Sequence, residues 1–327
     1  MTLKFKNVYI NNNAVVAGPY LIDGPLAKYF DGTYDDFYDN EKTYEDCEIK
    51  EAIKCINLLL EKEKENINDI DLLISGDLSN QIMISSFVAK ELHIPYLGVY
   101  SACSSFTEEL IVAATLIDKK VKKVLCLTTA HNLTAERQFR SPTEYGAPKP
   151  SYSTFTASSA TASIITNNKG IVRIESGTIG RVIDLDVKDS FDMGSAMAPA
   201  AADTLNIHLK DTKRNIDYYD LILTGDLGIY GEKIFKEYCK EVYGYNLTNY
   251  DDAATNIYNN DNKETLAGGS GPSCLPCYLY TKIFDKLKNG KIKRILLLAT
   301  GALLSTTSVN QKKSIPCISH AISLEVV

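Results

Sequence analysis

No stretch of the 327-residue chain is apolar for long enough to cross a bilayer. The longest runs, such as Ile295 to Leu304, stop well short of the ~20 residues a spanning helix needs. Any membrane role is therefore expected to be peripheral. Basic residues are not in excess either: 35 Lys and Arg face 41 Asp and Glu, for a net charge of −6. With no basic stripe to neutralise phosphates, nucleic acid is excluded as the main partner. The opening residues, Met1-Thr2-Leu3-Lys4-Phe5-Lys6, lack the apolar core of a secretory signal. Eight cysteines spread over a chain of this length do not make a disulfide framework, so a reducing interior is expected.

What is present is an alternation of strand and helix patterns. Leu3, Phe5, Val8 and Ile10 alternate with polar residues and read as an opening strand over 3–10, followed by a Gly/Pro-rich connection from Gly18 to Pro25. Thr43 and Asp46 form a candidate capping box ahead of Ile49, Ala52, Ile53, Ile56, Leu59 and Leu60 at helical spacing. A buried strand from Ile70 ends in the turn Gly76-Asp77-Leu78, and a helix pattern through Phe87, Val88 and Leu92 leads to a strand at Ile94–Val99. Another buried strand, Val121 to Thr128, ends at Ala130-His131-Asn132. Strands and helices alternating at this pitch predict a parallel α/β sheet.

The second half repeats the grammar. Asp217 to Leu227 echoes Asn68 to Leu78 at an offset of 149 (226 − 77), and Ile292 to Gly301 echoes Val121 to Ala130 at 171 (301 − 130). The 22-residue difference (171 − 149) implies an insertion, expected in the Tyr/Asn/Asp-rich stretch 238–262. The later offset carries Cys103 onto Cys274 and Gly98 onto Gly269. Two diverged copies of one α/β lobe follow, 1–166 and 167–327, and the chain is long enough for both to share one large core.

Within the first copy, Gly98-Val99-Tyr100-Ser101-Ala102-Cys103-Ser104-Ser105-Phe106 joins a strand to a helix. Free N–H groups and the helix dipole at such a junction favour negative charge, and would stabilise a thiolate at Cys103 or an anion beside it. A small buried cysteine in a tight turn explains the same residues.

A duplicated lobe with a cysteine at that junction resembles the thiolase superfamily, including the condensing enzymes of fatty-acid synthesis. The resemblance implies a five-layer αβαβα sandwich built from two duplicated lobes. It also implies a pair of donors, His with His or His with Asn, brought from the second half to hold an oxyanion. The two turns where the superfamily carries them read Thr224-Gly225-Asp226-Leu227-Gly228 and Ala267-Gly268-Gly269-Ser270-Gly271-Pro272-Ser273-Cys274. Neither holds His or Asn, and an aspartate there would repel an oxyanion. The expectation is a fold that keeps its pocket without the condensing chemistry.

Longer motifs narrow the resemblance. Gly76 to Gln81, His131 to Arg140, Pro142 to Gly146, Phe191 to Asp203, Leu221 to Leu227 and Ala299 to Ser305 are similar to the stage V sporulation protein AD family of endospore-forming bacteria. That resemblance implies a protein that binds dipicolinic acid, free or as its calcium chelate. It implies a role in moving that ligand into the developing spore with other stage V sporulation membrane proteins of the same assembly, peripherally associated with the inner spore membrane. It implies no enzyme activity and no cofactor. A homodimer is carried over from the superfamily. The alternative is an acyl-CoA condensing or acyl-transfer enzyme with Cys103 as nucleophile.

Dipicolinate is a flat ring with two carboxylates and needs donors and a flat apolar wall. The candidate ligand residues are Cys103, Ser104, His131, Asn132, Asp77, Asp226, Arg137 and Arg140. Cys103 and Ser104 would offer helix-start N–H groups. His131 and Asn132 follow a buried strand into a polar turn, where α/β sites lie. Arg137 and Arg140, three apart, would clamp an anion, or else pair with Glu136 and Glu144. Asp77 and Asp226 would suit a calcium-bearing ligand, or else cap their turns. No calcium-loop signature surrounds either, and no metal site of the protein's own is expected. The single Cys274-Leu275-Pro276-Cys277 pair reads as a packed helix start, and His93, His208 and His320 as structural.

Overall fold

The computed structural model describes residues 1–117, 119, 121–139, 149–259 and 261–327. Its five principal strands in the first half are β1 (Tyr9–Ala17), β2 (Leu72–Gly76), β3 (Tyr96–Gly98), β4 (Lys123–Ala130) and β5 (Ser159–Thr166). Those of the second are β6 (Val172–Thr178), β7 (Leu221–Thr224), β8 (Tyr250–Asp252), β9 (Arg294–Ala302) and β10 (Cys317–Val326). They lie in the order β8-β7-β9-β10-β6-β1-β5-β4-β2-β3. Ranked within each half, that is 3-2-4-5-1 followed by its reverse, so the sheet reads the same from either edge. β2, β3 and β4 run parallel, as do β7, β8 and β9. The halves join where β1 and β6 pair antiparallel at Tyr9–Arg173 and Ile10–Val172.

The helices form three layers about this sheet. α3 (Ser105–Ile117) buries residues on every side, among them Phe106, Leu110, Ala113 and Ile117, as a helix enclosed between two sheet halves must. Beside it runs α7 (residues 274–288), which passes through a π-helical turn at Leu279–Ile283. Phe106, Leu110, Tyr280 and Phe284 from these two helices share one core with the inner faces of both halves. α1 (Tyr44–Glu63) and α2 (Met83–Leu92) cover the outer face of the first half through Cys55, Ile56, Leu59 and Val88. α5 (Met193–Thr212) and α6 (Gly228–Tyr243) cover that of the second through Leu205, Leu209 and Phe235. The result is the αβαβα sandwich, with each half supplying one helix to the middle layer.

Local sequence accounts for the elements. Thr43 caps α1, its Oγ1 accepting from Asp46 N (3.1 Å) and donating to Asp46 Oδ2 (2.7 Å). β9 is buried along both faces from Ile295 to Ala302, and its near-continuous apolar run is the mark of such a strand. The alanines of α5 (Ala196, Ala198, Ala200, Ala201 and Ala202) let it sit close on the sheet. Gly194 and Gly231 bring α5 and α6 into backbone contact, since a β-carbon on Gly231 would lie 2.7 Å from Gly194 Cα.

Two expectations need correction. The principal opening strand is Tyr9–Ala17, and the stretch 3–10 is divided between its first two residues and a separate short strand, Thr2–Lys4, on β6. Asn11, Asn12 and Asn13 hid its continuation, and the register with β5 shifts across them. Gly98 is matched by Asp252 rather than Gly269, because Ser75 pairs with Gly98 as Thr224 pairs with Asp252. That match has an offset of 154 (252 − 98), so 5 of the extra residues (154 − 149) precede the third strand and 17 (171 − 154) follow it. Gly269 and Ser270 instead pair with Phe155 and Thr156 in a separate two-stranded ladder. Among the described residues no helix is long and apolar enough to cross a membrane.

Candidate ligand site at the Cys103 turn

The chain leaves β3 and reverses sharply at Ala102, whose φ of +52° is the left-handed conformation. Ser105 Oγ fixes the reversal, accepting from Ser101 N (3.1 Å) and donating to Ala102 O (2.7 Å). Ser104 fastens the turn to the other half: its Oγ donates to Ala299 O (3.0 Å) and accepts from His320 N (3.1 Å). The turn thereby sets Cys103 at one wall of a small, mostly apolar cavity between the two halves. Leu78 and Ala102 flank Cys103, α4 (Asn132–Phe139) contributes Ala135, Glu136 and Phe139, and the second half contributes Met193, Met197, Ala302 and Leu304. Thr156, Ser190 and Ser270 add hydroxyls. No Lys, Arg or His is among the described lining residues, and Glu136 pairs with Lys149 (3.0 Å).

The electrostatics run against a thiolate. Burial pushes the Cys103 thiol well above the ordinary cysteine range, and the charge of the neighbouring Asp226 carboxylate raises it further. The Gly271 N–H and the Ser270 hydroxyl act in the opposite direction without reversing the outcome. The expected helix-start donors are also engaged, because Ser104 N bonds Ser101 O (3.0 Å) and Ser105 N bonds Ala102 O (3.2 Å). Ser104 itself is fully buried in its contacts with the second half.

Asp77 and Asp226 follow equivalent strands and differ in every contact. Asp77 Oδ1 accepts from Ser79 N (2.8 Å), and Oδ2 accepts from Ser85 N (2.8 Å) and Ser85 Oγ (2.6 Å). It is the turn-and-helix cap of α2 and does not line the cavity. Asp226 Oδ1 accepts from Thr300 Oγ1 (2.5 Å), while Oδ2 is buried without a hydrogen bond. Burial raises its pKa to about 7. The capping duty in the second half passes to Asp252, which accepts from Leu227 N (3.3 Å) and Gly228 N (3.1 Å).

The other described candidates, His131, Asn132 and Arg137, are not among the cavity lining. His131 is buried between Phe37 and Tyr44, its Nε2 on Phe37 O (3.0 Å), and burial lowers its pKa to about 4, so the ring is neutral. Asn132 N donates to Ser158 Oγ (2.9 Å). Arg137 is ion-paired with Glu45 at the start of α1 rather than with Glu136. Arg140 lies outside the described residues, as do Pro142 to Gly146, with Glu144 among them. The structure therefore brings together Cys103 and Asp226 from the expected set. Met193 and Met197, four apart on one face of α5, escaped the sequence reading although the first precedes its alanine run and the second lies within it.

The sequence pattern of the Stage V sporulation protein AD (SpoVAD) family matches residues 1–325. The chain belongs to that family. It is 45% identical over 320 residues to the stage V sporulation protein AD of Bacillus subtilis (strain 168), covering 97% of this chain and 94% of the relative. Among solved structures, this SpoVAD-family chain is similar in fold to a single-residue variant of Xanthomonas campestris OleA, with a TM-score of 0.62 at 16% identity over 99% of both chains. It is likewise similar to 3-oxoacyl-[acyl-carrier-protein] synthase III of Aquifex aeolicus, with a TM-score of 0.59 at 14% identity over 97% of this chain and 99% of that one. At such identities the likeness is one of fold, and that fold is the thiolase-like one.

Proposed function

We propose that this SpoVAD-family chain binds dipicolinate, free or as its calcium chelate, in the Cys103 cavity, and takes part in its uptake into the developing spore without catalysing a reaction on it. The observation that carries this reading is the placing of Cys103 beside Asp226 in a buried setting: burial, reinforced by the acid next to the sulfur, holds it as a neutral thiol, which is a poor nucleophile. The cavity supports it with apolar walls from Phe139, Met193, Met197 and Leu304, broken by hydroxyls at Thr156, Ser190 and Ser270. The described lining offers no cation to a bare dianion, which favours the chelate over the free acid.

The protein works in this reading as a peripheral component beside the membrane-embedded stage V sporulation proteins of the same assembly. A homodimer has support in the edge strand β3, where Leu97 is exposed. Titration calorimetry with dipicolinate and with its 1:1 calcium chelate tests the ligand. Heat with at least one is expected, and silence from both would remove the reading.

One observation favours acyl transfer as a second reading, namely a cysteine at the cavity wall where the Gly271 N–H and the Ser270 hydroxyl work against the upward shift of its thiol. It requires a covalent adduct after incubation with acyl-CoA, seen by intact mass and lost in Cys103→Ala.

A further inference from the structure

Asp226 is almost sealed from solvent, at 1% exposure, and one of its oxygens has no hydrogen bond. The titratable groups facing it come from four elements. Cys103 precedes α3, Cys274 opens α7, Cys317 begins β10 and Asp252 ends β8. These are neutral or acidic, and none supplies positive charge. An ionised carboxylate in such a place is costly unless a cation approaches it. Cys103 both lines the cavity and touches Asp226, so a single side chain stands between this carboxyl and whatever the cavity holds.

We propose that Asp226 sets the charge of the ligand the cavity accepts, giving up its proton when a cation-bearing chelate enters and keeping it when a bare dicarboxylate does. The inference rests on the reading that the cavity holds dipicolinate. Burial raises the pKa of the unliganded carboxyl to about 7, which brings both forms within reach around neutrality. A chelated calcium stabilises the ionised form, so chelate binding releases a proton and tightens as pH rises. A dianion opposes the ionised form, so free dipicolinate binds with Asp226 protonated and weakens as pH rises. At the limit of one proton exchanged, each affinity changes about tenfold per pH unit, with opposite signs. Thr300 positions the group, because its hydroxyl donates to Oδ1 and favours ionisation.

The test is calorimetry of the whole chain with each ligand from one pH unit below to one above the Asp226 titration, at fixed free calcium for the chelate. Opposite slopes are expected for wild type and flat profiles for Asp226→Asn. Thr300→Val is expected to displace both profiles to higher pH, and it keeps the test decisive if Asp226→Asn fails to fold. Equal or flat slopes in the wild type overturn the inference while leaving dipicolinate binding intact. So do wild-type slopes that survive in Asp226→Asn, or profiles that Thr300→Val does not move. Absence of binding by either ligand at every pH overturns the ligand reading and this inference together.

Discussion

Gly301 lies directly beneath the carbonyl of Ser101: a β-carbon added to it would sit 2.0 Å from that oxygen. The end of β9 and the turn carrying Cys103 are therefore in backbone contact, and even a methyl group would part them. Gly301→Ala should cost about 1–3 kcal/mol of stability, the usual range for overpacking. It should also weaken ligand binding by moving the cavity wall. Urea unfolding and calorimetry check the two effects separately, and unchanged values for both would mean that the contact yields freely.

Ala302 lines the cavity from the same strand end. Ala302→Leu adds three carbons to the cavity wall. Ligand affinity should fall at least about tenfold, and the melting temperature should hold or rise because apolar surface is gained rather than strained. Retained affinity would place the ligand elsewhere.

Cys103 should react slowly with iodoacetamide at neutral pH, at least about tenfold more slowly than a free cysteine. Burial and the Asp226 carboxylate both hold the thiol protonated. Asp226→Asn removes the charge but not the burial, so labelling should accelerate without reaching the rate of a free thiol. Mass spectrometry of the labelled peptide gives the rates, and a fast wild-type reaction would contradict the assigned protonation state.

Glu48 sits fully buried on α1, accepting from Thr129 Oγ1 (2.6 Å), and burial raises its pKa to about 8. The folded state holds a proton that the unfolded chain releases near pH 4.3. Its contribution to stability is complete below that value and is lost progressively as pH rises to about 8. Denaturant midpoints should therefore decline across that window. Glu48→Gln keeps an oxygen for Thr129 and should reduce the slope, while the upward-shifted Glu51 and Glu109 maintain the remainder. An identical slope in the variant would show Glu48 ionised in the fold.

The duplication could be read from sequence because strand ends are punctuated locally, by Gly-Asp turns and by apolar runs of one length. The Cys103 junction was legible for the same reason. The fate of Asp77 and Asp226 was not. Each follows a glycine in the same turn, but Asp77 is satisfied within eight residues by Ser79 and Ser85, whereas Asp226 meets Thr300 from 74 residues away. Arg137 was similarly misread, because its partner Glu45 belongs to a helix formed far earlier in the chain. Short-range patterns carry the frame, and the chemistry of the site is set by contacts between elements distant in sequence.

The fastening of Ser104 to Ala299 and His320 makes the cavity a seam between the two copies. Neither copy alone encloses it, since Cys103 comes from one while Met197 and Ala302 come from the other. A ligand held there, as proposed, would clamp the two copies together. Parting the copies would destroy its site, so at concentrations above its dissociation constant it would stabilise the whole molecule against unfolding rather than one loop.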